Sequence, residues 1–358
     1  MRGPPPEVVA SWPAPNYVDP DYQGPQLLIA GVILLAISCT VVGLRLSVRL
    51  YIKRSAGWDD WIILAAIPFM ICSTVAANLG TRYGWGYHLW DNKPEWRRPS
   101  LMTTYFSQLC LAIIMALVKL SLLASYLRFF TLPLYRRLNW AMVLLVACWA
   151  ASFLVAMLTA CQPLYAYWDT EIAATAKCTD EPERTLAFTI SNLITDVIIL
   201  ALPVPTLWRV KLPVRERLAL IGLMSLGLLA CAASAVRLYY AHRIYNVSYD
   251  TSWEGYTLSL WILVEINLSV ICASIPTLRP LMKKYFPKWR STGSSASAHG
   301  RGTSSRTAEG CPVVSSHSYS PKSPRLSRQI TIQQTFYLTE STEALQSEGY
   351  QMDRCRKL

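Results

Sequence analysis

Apolar residues run along this chain in seven long blocks separated by shorter polar ones. The blocks fall at 27–50, 61–80, 101–127, 140–161, 186–208, 218–240 and 256–281. A hydrocarbon layer about 30 Å thick takes about 20 helical residues to cross, and each block is long enough. With no water in that layer, backbone amides and carbonyls must bond to each other within the segment. The pattern therefore predicts an all-α membrane protein, a bundle of seven transmembrane helices. Pro68 and Asn78 interrupt the second block, which membrane helices tolerate when neighbours satisfy the freed groups. Three regions follow: a proline-rich segment at 1–26, the membrane domain at 27–285 and a serine- and threonine-rich tail at 286–358. The tail is too polar to bury a core and is expected to be disordered. Residues 1–25 lack the apolar region of a cleavable signal, so the first helix is expected to serve as its own insertion signal.

The polar connections predict an orientation. With the amino terminus outside, the inner connections carry Arg45, Arg49, Lys53 and Arg54, then Arg128, Arg136 and Arg137, then Arg209, Lys211, Arg215 and Arg217, and finally Lys283, Lys284, Lys288 and Arg290. These outnumber the outer Arg2, Arg82, Lys93, Arg97, Arg98, Lys177, Arg184 and Arg243. Cytoplasmic loops carry the excess of Lys and Arg, so the carboxyl terminus is expected in the cytoplasm. Trp58, Trp61, Trp140, Trp208 and Trp289 fall at expected inner boundaries, and Trp85, Trp168 and Trp253 at outer ones. Indole rings suit the headgroup layer.

Composition agrees with this reading and narrows it. Hydrophobic residues make up 53% and charged ones 16%, where a soluble domain carries about a quarter charged. The net charge of +12 is accounted for by the loops, so nucleic acid is not expected as a partner. Lipid is, with the plasma membrane the expected location. The basic and aromatic run from Lys283 to Arg290 suits anionic inner-leaflet lipid or a plain stop-transfer flank.

Catalytic motifs are missing: the chain has no HExxH, GxSxG or phosphate loop, and no enzymatic activity is expected. The ten cysteines show no zinc-like spacing, so neither a metal nor a cofactor is expected. Ionisable groups inside the apolar blocks are the sharper signal, because each costs several kcal/mol there unless paired or hydrated. Lys119, Asp196 and Glu265 stand out, joined by Asn192, Asn267 and Arg237. Asn192 and Asp196 share a helix face that should point into the bundle. Such residues form either a polar cavity for a ligand or proton, or a buried ion pair that fixes helix packing. Lys119 could instead extend toward the inner surface. Cys161 and Cys178 lie at the outer side, where a disulfide can form; Cys110 is a competing partner. Asn246-Val247-Ser248 is a glycosylation sequon on the outer side. Asp59-Asp60 opens the second helix, where carboxylates complement the dipole and cap free amides.

Several short motifs resemble the fungal rhodopsin-domain integral membrane proteins, a group that includes receptor-like proteins. They are Gly57-Trp58-Asp59-Asp60-Trp61, Tyr83-Gly84-Trp85-Gly86-Tyr87-His88, the end of the third helix from Lys119 to Phe130, and Cys161-Gln162-Pro163 with Trp168 and Cys178. Asn192, Asp196 and Leu202-Pro203 follow, then Ser234, Arg237, Glu265, Cys272, Pro276 and Pro280. The resemblance covers about 27–285 and implies a seven-helix bundle. It does not imply retinal: a Schiff base needs a buried lysine, opsins supply it from the seventh helix, and 256–281 contains none. Some members carry a cysteine-rich module before the first helix, which the short amino-terminal segment here does not provide. The expected function is a receptor-like sensor, taking a ligand from outside and engaging a cytoplasmic signalling protein. The alternatives are a transporter or channel using Asp196, Glu265 and Lys119, or a membrane scaffold.

Overall fold

The structure is a computed structural model. It describes residues 5–285 apart from 53, 56, 130–132, 170–171, 173–174 and 206–213. For 6, 129, 214–221, 223 and 279–285 it describes the backbone but not the side chains. The tail at 286–358, expected to be disordered, lies outside the described residues, as do Lys53, Trp208, Arg209, Lys211 and Trp289.

Among the described residues, seven helices are long and apolar enough to cross a membrane. They are α1 (Gln26–Ser47), α2 (Trp58–Arg82), α3 (Arg97–Phe129), α4 (Pro133–Leu158), α5 (Glu181–Ala201), α6 (Val214–Asn246) and α7 (Thr251–Tyr285). After Ser47, α1 continues as a π-turn at Val48–Ile52. The fifth helix differs most from the expected 186–208. It starts earlier, at Glu181-Pro182 after Asp180, because a proline at the first turn costs no hydrogen bond and acidic residues suit the positive helix end. It ends at Ala201, just before Leu202-Pro203, since proline clashes with helical backbone and has no amide hydrogen.

Neighbouring helices pack in sequence, and α7 closes the ring against α1. The third helix runs through the middle and touches α2, α4, α5 and α7. In its apolar span, 67% of positions are buried, against 17% in α4. Met70, Leu111, Ile114, Met115, Phe188, Ile266 and Val270 form the main apolar core.

Burial is inverted relative to a water-soluble protein. Ile33, Leu144, Val155, Ile194 and Leu228 face outward, whereas Arg45, Lys119, Asn192, Arg237 and Glu265 are enclosed. Hydrocarbon accepts leucine but cannot solvate a guanidinium or carboxylate. Several hydroxyls in the spans bond back to their own helix, as Thr74 Oγ1 does to the Met70 carbonyl at 2.9 Å, which satisfies them without water.

One end of the bundle carries an ordered cap. Cys161 and Cys178 are joined by a disulfide across a two-stranded ribbon, β1 (Cys161–Gln162) and β2 (Lys177–Cys178). Cys110 lies buried within α3 as a free thiol. Beside α1, α2 and α7, the Gln23 amide donates to the Gly86 carbonyl at 3.1 Å, and Tyr256 Oη donates to the Gly24 carbonyl at 2.7 Å. His88 stacks between Trp90 and Trp253 and bonds Asp250 at 2.5 Å. The tryptophans of this end are therefore partly enclosed in the cap. Trp85 also packs on Gly80 and donates to Ser100. At the opposite end Trp58 is 83% exposed, and Trp61 and Trp140 also face outward, as a headgroup belt requires.

Candidate functional site

Two turns of α5 set the centre of the bundle. Thr189, Asn192, Thr195 and Asp196 follow the i, i+3, i+4 rule and so share one face. Opposite them stand Lys119 of α3, Ser234 and Arg237 of α6, and Glu265 of α7. Lys119 Nζ lies 3.2 Å from Asp196 Oδ1 and donates to the Asn192 carbonyl at 3.0 Å and to Thr195 Oγ1 at 2.5 Å. It also sits over the Trp149 ring, 4.9 Å from the centroid. It therefore reaches across to α5 and does not extend toward the membrane surface.

Arg237 Nε lies 2.5 Å from Glu265 Oε2, and its Nη2 donates to Glu265 Oε1 at 3.2 Å. Ser234 Oγ donates to the same Oε1 at 2.7 Å. Asn192 Nδ2 joins the two pairs, donating to Glu265 Oε1 at 2.8 Å and to Asp196 Oδ2 at 3.1 Å. Two cations meet two carboxylates, so the network is neutral as a whole. Neutrality is the condition under which charges are tolerated in a low dielectric. Asn267 stands apart. Two residues beyond Glu265 it points elsewhere, where its Oδ1 accepts from Ser38 Oγ at 2.6 Å and its Nδ2 donates to the Leu263 carbonyl at 2.7 Å.

Above this network, toward the disulfide, a partly open cavity of about 70 Å³ lies among α3 to α7. Leu111, Phe153, Met157, Phe188 and Ile262 make its apolar wall, and Arg184 and Arg237 contribute its two charged groups. Arg237 thus belongs to both cavity and network. Arg184, counted from the sequence among outer-loop charges, is only 8% exposed because it sits in the first turn of α5 facing α3. At the cavity's edge, burial and the neighbouring Glu181 hold the Tyr167 phenol well above its ordinary range. It therefore stays protonated and donates to Glu181 Oε1 at 3.1 Å.

A second ionic cluster occupies the other end. Asp60 Oδ2 accepts from the Gly57 amide at 3.1 Å, the capping role expected of it, but the aspartates also pair with arginine. Arg45 Nη2 lies 2.8 Å from Asp59 Oδ2 and its Nε 2.9 Å from Asp60 Oδ1. Arg49 Nη2 lies 2.9 Å from Asp59 Oδ2, and Arg128 Nη2 lies 3.3 Å from Asp59 Oδ1. Ser121 Oγ donates to the Asp59 carbonyl at 2.7 Å, and Arg45 Nη1 donates to the Ala273 carbonyl at 2.6 Å. Arg45 and Arg49 are thus buried in the bundle and are not free loop charges. They lie one turn apart on α1, facing the start of α2. That spacing, with two adjacent aspartates after Gly57-Trp58, is the signal from which the cluster could have been read. Asn246 is exposed at the last residue of α6.

Curated relatives are fungal membrane or gene-cluster proteins. The chain is 29% identical over 298 residues to "Receptor GIN3" of Arthrobotrys oligospora, an alignment covering 81% of this chain and 70% of that protein. It is 26% identical over 286 residues to the "Polyenoic acids biosynthesis gene cluster protein Ba17b" of Metarhizium anisopliae, covering 74% and 76%. It is 23% identical over 262 residues to a "SAT4 family membrane protein" of Emericella nidulans, covering 72% and 62%. No solved structure matches the chain. The fungal rhodopsin domain matches residues 44–284, a stretch that holds both ionic clusters, the cavity and the disulfide. The chain is a multi-pass membrane protein and belongs to the fungal rhodopsin domain family.

Proposed function

We propose that this chain is a non-enzymatic, receptor-like sensor, with the disulfide end and amino terminus outside and the Arg45–Asp59 end facing the cytoplasm, in the plasma membrane. The observation that carries this reading is the double membership of Arg237. It lines the cavity and also holds Glu265. A molecule in the cavity therefore touches a group bonded, through Glu265 and Asn192, to α5 and α7, and through Asp196 to Lys119 of α3. Within two residues of Lys119, α3 supplies Ser121 to the Asp59 cluster. One rigid helix thus joins the ligand level to the cytoplasmic level. A ligand shifts such an equilibrium only if it binds the two arrangements unequally, and competition with Glu265 for Arg237 supplies the inequality. The similarity to a protein named a receptor supports the reading. The basic inner loops and the tail at 286–358 are the surfaces we assign to a cytoplasmic signalling protein.

Transport is the second reading, favoured by one detail: the Asp196 side chain is 19% exposed, the least enclosed of the four charges. Flux in liposomes that disappears in Asp196→Asn would establish it. The sensor reading is tested by hydrogen exchange on the full chain in lipid nanodiscs, comparing wild type with Arg237→Gln. Peptides covering 57–61 and 119–128 should exchange severalfold faster in the variant. Change confined to 184–192, 234–241 and 262–268 would overturn the coupling.

A further inference from the structure

We infer that the cavity above the network is a binding site for the carboxylate end of a small lipophilic acid, with Arg184 as its counter-ion. This rests on the sensor reading and names the ligand class of the same site. The Arg184 side chain makes no ion pair and no hydrogen bond among the described residues. Its Nη2 is buried without a partner, and its guanidinium carbon stands 5.9 Å from the centre of the Tyr167 ring. A guanidinium stays protonated under all ordinary conditions, so the charge cannot be relieved by losing a proton. An enclosed charge held only by a ring face at that distance is costly, and an anion in the cavity would lower that cost.

The sign of the ligand follows from what lines the space. Arg184 and Arg237 are the lining charges. Arg237 is neutralised by Glu265, which leaves the Arg184 Nη2 as the charged donor within the wall that has no acceptor. Glu181, the carboxylate three residues before it on the same helix, is not among the lining residues and accepts from Tyr167 and Gln108. The unpaired donor calls for an acceptor on the cavity side, and a charge-assisted bond to an anion is the strongest that a guanidinium makes. A planar carboxylate fits the two parallel donors of a guanidinium.

The remainder of the ligand follows from the walls and the size. Leu111, Ala112, Phe153, Met157 and Ile262 offer only apolar contact. A volume near 70 Å³ holds about five water-sized atoms, enough for a carboxylate and the first carbons of its chain. A longer chain leaves through the open side. The Thr185 hydroxyl on the lining face of α5, which accepts from Tyr245, can donate to the second carboxylate oxygen.

The test uses the full chain in nanodiscs with hexanoate as probe and hexanol and inorganic phosphate as controls, read by saturation-transfer NMR. Hexanoate should bind saturably, with hexanol weaker by about tenfold or more, the loss expected for one charge-assisted hydrogen bond. Arg184→Gln should weaken hexanoate by a similar factor while Arg184→Lys keeps most of the binding. Ala112→Leu should abolish it by filling the cavity with the arginine intact, which covers the case in which Arg184→Gln does not fold. Equal binding of hexanol, displacement of hexanoate by phosphate, unchanged binding in either Arg184→Gln or Ala112→Leu, or no saturable hexanoate binding would overturn the assignment. Absence of binding alongside the exchange response to Arg237→Gln defeats only the ligand class. Binding without that response leaves the site standing and defeats the sensor.

Discussion

Glu265 and Asp196 are both carboxylates among apolar residues, yet their losses should differ. The Glu265 side chain is fully enclosed and paired with Arg237, while Asp196 is partly exposed and paired with Lys119. A lysine can shed its proton when its partner is removed, and an arginine cannot. Glu265→Leu should therefore lower stability by about 3–5 kcal/mol, the usual penalty for orphaning a buried charge, while Arg237→Met with Glu265→Leu should recover most of it. Asp196→Leu should cost less than Glu265→Leu. Thermal unfolding of the four proteins in one detergent checks the order; equal losses for the single and double variants would mean that the ion pair is not what Glu265 contributes. Lys119, Asn192, Asp196, Arg237 and Glu265 stand out in the sequence because a charge or amide inside an apolar block is conspicuous, whereas Thr195 and Trp149, which also hold Lys119, carry no such signal. Asn267 looked equivalent, but a two-residue offset from Glu265 turns it to a different face. Arg45 and Arg184 were not legible as buried groups. Each lies at the end of an apolar block, where a basic side chain ordinarily reaches water, and only the packing of α2 or α3 over it decides otherwise.

Helices and turns are unevenly legible in the sequence for similar reasons. Block length alone located all seven spans, because the demand for about 20 apolar residues leaves little freedom. The ends were set by local chemistry that hydropathy does not register, such as Asp180-Glu181-Pro182 opening α5 and Leu202-Pro203 following its last turn. The connection between α2 and α3 holds the clearest backbone requirement. Gly84 has φ +98°, and a Cβ there would fall 2.2 Å from Asn92 Oδ1. Asn92 Nδ2 in turn donates to Ser252 Oγ at 2.8 Å, which ties this turn to the start of α7. Gly84→Ala should therefore lower stability by at least about 1–2 kcal/mol, the left-handed penalty alone, and loosen the cap. Gly43 in α1, where an added methyl group would meet nothing within 4 Å, should accept alanine without loss. A comparison of melting temperatures and of exchange in peptides 83–92 and 250–256 separates the two; a silent Gly84→Ala would mean that the turn does not need this backbone.

At the scale of the whole molecule, the two charge clusters divide the bundle into levels joined by α3. The cavity and disulfide lie at one end, the neutral network at mid-depth, and the arginine–aspartate cluster at the other end. Sensing from outside to inside requires that the first level face away from the cytoplasm. Charge supports that orientation, although Arg45 and Arg49 are neutralised within the bundle by Asp59 and Asp60. The remaining inner bias rests on Arg54, Arg128, Arg136 and Arg137 and on the basic residues following α5 and α7. If all seven helices cross, residues 26 and 278 fall on opposite faces of the membrane. Epitope tags placed before residue 26 and after residue 358, probed by antibody in intact and then permeabilised cells, read that arrangement without intermediaries. The first tag should stain without permeabilisation and the second only after it; staining of both tags, or of the second alone, in intact cells would contradict the orientation on which sensing depends.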